Sequence, residues 1–132
     1  MKITNLRVAK DGKLEKIMTI YCERNAALLK SGAVVNLDKA RLIRPTGLVD
    51  KNGQEILEGS ILAFEDSVYN ANMDDFYEDT NTAVVAYIDN RFTLLNFAKE
   101  GMIWQLVTES NTALVNTLQN SIIVGHTSVK LK

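Results

Sequence analysis

The sequence predicts a mainly β protein of α+β class: a small barrel preceded by a β-hairpin and a short helix. Three observations predict it. Short runs rich in β-branched and alternating apolar residues recur at close spacing. Turn dipeptides such as Asn52-Gly53 and Asp89-Asn90 separate them. Only two stretches, near 24–32 and 112–118, have helical composition. At 132 residues the chain suffices for one proper core and is short for two ordinary domains.

Thr4, Leu6 and Val8 alternate, as do Met18, Ile20 and Cys22, and Asp11-Gly12 lies between the runs. This pattern predicts a hairpin with strands near 3–9 and 14–22. It places Cys22 on an apolar face beside Met18 and Ile20, as a buried structural thiol. Ile17 and Tyr21 make the opposite face partly apolar, which implies a covering helix or a neighbouring subunit. Arg24 to Gly32 reads as a short helix, with Asn25 as N-cap and Gly32 as its left-handed stop. Ala33 to Val35 and Leu42-Ile43 read as strand pieces. Pro45 cannot donate to a ladder, so a boundary falls near 44–46. The expected organisation is a subdomain over 1–45 and a barrel over 46–132.

Leu48-Val49, the turn Asp50-Lys51-Asn52-Gly53 and Ile56-Leu57 predict a tight hairpin. Gly59 precedes a buried strand from Ile61 to Phe64. Residues 65–79 then hold six acids, no base and the aromatics Tyr69, Phe76 and Tyr77. The run reads as a long excursion from the barrel, a solvated loop with tucked aromatic anchors, with a short helix near 72–78 as the alternative. Residues 82–97 form the clearest hairpin, turning at Asp89-Asn90. Met102 to Val107 is apolar enough for another strand. Asn111 is placed as N-cap of a helix over 112–118 with Leu114, Val115 and Leu118 on one face. Residues 121–126 read as the last strand.

Composition excludes several classes. No window approaches the length of a membrane span, and the opening residues lack the apolar core of a signal peptide. A single cysteine fits a reducing cytoplasm. One Cys and one His cannot complete a structural zinc set. A Cys22–His126 dyad would be the only sulfur nucleophile, and a structural thiol is the better reading. The acids at 65–79 lack calcium-loop spacing, so a cation near Asp74, Asp75 and Asp79 would be fortuitous. No glycine-rich phosphate loop occurs. Glu55 and Glu58 lie in a motif-like stretch, where a Glu58 carboxylate accepting turn N–H groups explains more than catalysis does.

Net charge is −1, yet residues 1–45 hold ten Lys/Arg against four acids, and residues 46–132 hold five against twelve. Such asymmetry marks a nucleic-acid face or surfaces that attract each other. Lys39, Arg41 and Arg44 are the candidate phosphate contacts.

The stretch Thr46 to Phe64, with Gly47, Asp50, Asn52, Gly53, Glu55, Ile56, Glu58, Gly59 and Ile61, resembles the signature of the YopX family of phage and prophage proteins. Ile123-Val124-Gly125 resembles its closing segment. Ser60 departs from the usual Asp, and the tail lacks the usual ending. The resemblance implies a five-stranded barrel of the Src-homology-3 type, self-association, and no assigned catalytic residue, cofactor or metal. The expected function is therefore a non-enzymatic accessory protein of the bacterial host cytoplasm. Its expected partner is a second copy, or a host or phage protein, with nucleic acid as the alternative and no membrane.

Overall fold

A computed structural model describes residues 6–10, 13–38 and 41–128. Of these, 56% are in strands and 17% in helices, so the protein is mainly β. The chain divides into two compact units, one built from the described residues up to Pro45 with Ser128, the other from Thr46–Thr127.

The N-terminal unit is a curled five-stranded sheet. Its strands are β1 (Arg7–Lys10), β2 (Lys13–Tyr21), β3 (Ala26–Leu29), β4 (Val34–Asn36) and β5 (Arg41–Ile43), in the order β4-β3-β2-β1-β5. The first hairpin forms as its alternation predicts; its turn at Asp11-Gly12 lies outside the described residues. The predicted helix over 24–32 does not form. Cys22–Arg24 is a 3₁₀ turn, and Asn25 takes a left-handed conformation at φ 50° rather than capping a helix. The chain thereby folds back so that Ala26 pairs with Tyr21 and Ala27 with Ile20. Two helical turns have marginal stability alone, whereas the strand buries Ala26, Ala27 and Leu29 and gains a ladder on each side. Gly32 has positive φ as expected, but it turns β3 into β4.

The buried face of β2 also differs. A bulge between Ile17 and Thr19 re-aims the strand. Ile17 is fully buried with Val8, Ala27 and Leu29, while Met18 is 50% exposed. Cys22 is exposed, not a buried structural thiol, because the strand ends one residue before it.

The C-terminal unit starts with a two-stranded ribbon, β6 (Pro45–Val49) and β7 (Glu55–Leu57). Its main sheet combines β8 (Ser60–Asn70), β9 (Asp75–Ile88), β10 (Arg91–Leu95) and β11 (Ile122–His126) in the order β10-β9-β8-β11. The only five-stranded sheet among the described residues is thus in the N-terminal unit. Two helices, α1 (Met102–Glu109) and α2 (Asn111–Gln119), lie between β10 and β11. Their inward residues Val107, Leu114 and Leu118 close a core with Leu62, Phe64, Val85 and Leu94. Phe97 meets Phe64 edge-on at 6.0 Å between ring centroids. The β9–β10 hairpin turns at Asp89 and Asn90, both with positive φ, as its sequence predicts.

Three further expectations are corrected. The acidic run is neither loop nor helix: β8 and β9 stay paired as far as Asn70 opposite Asp75, forming a long hairpin arm. Opposed acids such as Asp66 and Asp79 hide the β-formers Val68, Tyr69, Phe76 and Tyr77 that carry it. Met102 to Val107 is helical. Short apolar runs fit either period, and here Ile103 and Val107 face the core one turn apart. The cap of α2 is Ser110, whose hydroxyl accepts from the Ala113 N–H, and not Asn111. Val115, on the face shared with Leu114 and Leu118, is half-buried.

Candidate functional site

Asp50 organises the signature hairpin. Oδ1 accepts the N–H groups of Asn52 and Gln54 at 2.9 and 2.8 Å, and Oδ2 accepts that of Ile123 at 2.9 Å. The carboxylate therefore locks its own turn and pins the start of β11 to it. Burial pushes the Asp50 carboxyl up, but the N–H donors of Ile123, Gln54 and Asn52 together outweigh it and hold it below its ordinary value. Gly53, at φ 80°, completes the turn. Gly59 has φ 88° for a different reason. A Cβ there would lie 2.6 Å from the His126 ring, whose Nε2 sits 2.6 Å from the Glu58 carbonyl oxygen.

A second clasp holds the base of the arm. Asp66, 2% exposed, receives an Asn81 side-chain N–H at 2.9 Å on Oδ2 and the Ile103 N–H at 3.1 Å on Oδ1. Gly101 has no side chain to cap α1, so a carboxylate from β8 takes the place of a cap and favours the positive end of the helix. A Cβ on Gly101 would fall 2.2 Å from Asp66. Asn81 also bridges to the backbone N–H and carbonyl of Lys99. The Lys99 ammonium bonds Asp79 at 2.6 Å, which lowers the Asp79 carboxyl and raises the Lys99 ammonium.

Beyond the buried Val68, the arm is exposed towards its tip. Tyr69 and Phe76 pair at 5.5 Å, and the Tyr69 hydroxyl donates to Asp74, which raises the phenol. Met73, Phe76 and Tyr77 are all exposed beside Asp74, Asp75 and Glu78.

The remaining candidates are dispersed. Lys39 lies outside the described residues. Arg41 is exposed on β5, an edge strand, and Arg44 is half-buried just after it. Glu55 is exposed and Glu58 half-buried, and Asp50 itself accepts the N–H groups of its own turn. Asp74, Asp75 and Asp79 engage separate partners, a phenol, a backbone N–H and Lys99. Among the described residues no three His, Cys, Asp or Glu are grouped to hold a metal ion. No helix among them is long and apolar enough to cross a membrane.

The family described as YopX protein matches residues 1–121. The chain belongs to the YopX family. No curated protein and no solved structure matches it. The YopX signature divides into backbone and clasp roles: Gly47, Gly53 and Gly59 all have positive φ, Ile56 is fully buried, and Asp50 holds the turn. Asn52 is an exposed turn residue that donates its N–H to Asp50. Sequence reasoning missed Asp66, Asn81 and Gly101. One signal was present: Asp66 falls on the inward period of Leu62, Phe64 and Val68, where a carboxylate must find partners.

Proposed function

We propose that this YopX protein is a non-enzymatic phage or prophage accessory module that acts in the host cytoplasm by protein–protein association, first with itself. One observation carries the reading: the buried ionisable side chains Asp50, Asp66 and His126 are committed to fixed backbone or amide partners, while Met18, Val34, Phe76, Leu95, Ile122 and Val124 leave large apolar groups exposed on ordered strands. Such a surface favours docking over chemistry. Host or phage proteins are further partners within the same reading. It also treats residues 46–132 as a Src-homology-3-type barrel, supported by the strand succession β6 to β11 around two helices. Sedimentation velocity at low and high salt tests self-association; a monomer at micromolar concentration in both overturns it.

Nucleic-acid binding is the second reading, favoured by the basic balance of residues 1–45 and by Arg41 on an open edge. Reversing Lys39, Arg41 and Arg44 together should abolish binding to a DNA duplex and flatten its salt dependence. No duplex binding by the native protein at low salt ends this reading.

A further inference from the structure

The four-stranded sheet has two apolar faces. Leu62, Phe64, Ala83, Val85 and Leu94 point into the helix-covered core. The alternate positions form the outer face, and in an antiparallel sheet with one solvated side they would be polar. Here Ile61, Ala63 and Val84 make its half-buried middle. Ile88, Leu95 and Ile122 rim it at 43, 40 and 41% exposure. Pairing register places Ile61 opposite Val84, Val84 opposite Leu95, and Ala63 opposite Ile122, so these side chains form one continuous patch. A contiguous apolar patch on the order of a few hundred Å² is often a functional surface.

Charge along this face is polarised, and that identifies the occupant. Two pleats from the Ile61–Val84 pair in one direction lies Ile88, opposite Arg91. Two pleats in the other direction lies Glu65, opposite Thr80, with Glu78 one pleat beyond. A two-fold axis across the strands at the Ile61–Val84 level therefore carries the Arg91 end of one copy onto the Glu65 end of the other. A two-fold axis along the strands would stack acid on acid. The face is thus complementary to itself in one orientation only, as an isologous interface requires.

We propose that two copies of this chain pack through the outer faces of their four-stranded sheets, strands antiparallel, with Arg91 of each facing the acidic end of the other. This deepens the self-association reading and rests on it. Four strands at about 4.8 Å spacing make a face on the order of 400 Å² in projection. That is small for an obligate pair and suits a weak, transient dimer in the aligned sheet-on-sheet geometry.

Leu95→Asp and Ile122→Asp alter rim positions that already tolerate water, so the fold should survive by circular dichroism. Each should weaken dimerisation by about tenfold or more in sedimentation equilibrium. Val34→Asp, exposed on the N-terminal sheet, should leave it unchanged. Arg91→Glu should weaken the dimer, and adding Glu65→Arg should restore it. A native protein that is monomeric at high micromolar concentration overturns this proposal and the self-association reading together. A native dimer that both Asp variants leave intact overturns the proposed face alone. If those variants unfold, the charge swap decides: reversal without rescue rejects the two-fold arrangement.

Discussion

The two units are built from different materials. Every buried polar or charged residue identified, from Asp50 and Ser60 to Ser121 and His126, lies in the C-terminal unit. Among the described residues the N-terminal unit has none, and its core is the small cluster of Val8, Ile17, Ala27 and Leu29. Buried polar groups are costly unless partnered, so each clasp admits one loop arrangement and rejects its neighbours. An apolar cluster accepts several packings of similar volume. The C-terminal unit should thus be the more narrowly specified, and the N-terminal unit the more tolerant of repacking.

The largest effect should come from Asp50→Ala, which leaves three N–H groups without their acceptor. Charge-assisted bonds contribute roughly 1.5–3 kcal/mol each and are coupled here, so a loss of about 4 kcal/mol is expected by urea unfolding. The pH dependence follows from the lowered folded value of Asp50. Its contribution is full above the ordinary carboxylate value and disappears as pH falls through the folded one. The Ala variant should lose that part of the acid sensitivity. Ile17→Ala, in the other unit, should cost about 3 kcal/mol through its cavity alone, with no pH component. An equal pH response in both variants would erase the distinction between the units.

Smaller effects resolve the clasps further. Gly101→Ala should cost about 2 kcal/mol by driving a methyl into Asp66, and hydrogen exchange should rise first at the start of α1. Gly59→Ala combines positive φ with a clash against His126, whereas Gly53→Ala meets open space. Gly53→Ala should therefore cost about 1 kcal/mol, from left-handed strain only, and Gly59→Ala clearly more. A neutral Gly53 variant would mean that its turn is wrongly described. Lys99→Met comes last, because the exposed ion pair with Asp79 is screened by salt; any effect should shrink as salt is added.

By itself the sequence determined the mainly β class, the signature hairpin around Asn52-Gly53, the hairpin within 82–97, a helix over 112–118 and the family. Those features depend on local chemistry: Gly53, Asp89 and Asn90 tolerate positive φ, and β-branched runs favour pleated strands. It did not reveal that Ala26–Leu29 is a strand, that Met102–Glu109 is a helix, or that the acidic run is a paired arm. Each depends on a partner distant in sequence. Tyr21 recruits Ala26 into a ladder, and Asp66 caps a helix thirty-odd residues later in the chain. Thr80 and Tyr77 draw Glu65 and Val68 into pairing. Local propensity differences of a few tenths of a kcal/mol per residue are easily outweighed by a buried ladder or a charge-assisted bond, so only the tertiary structure could decide them.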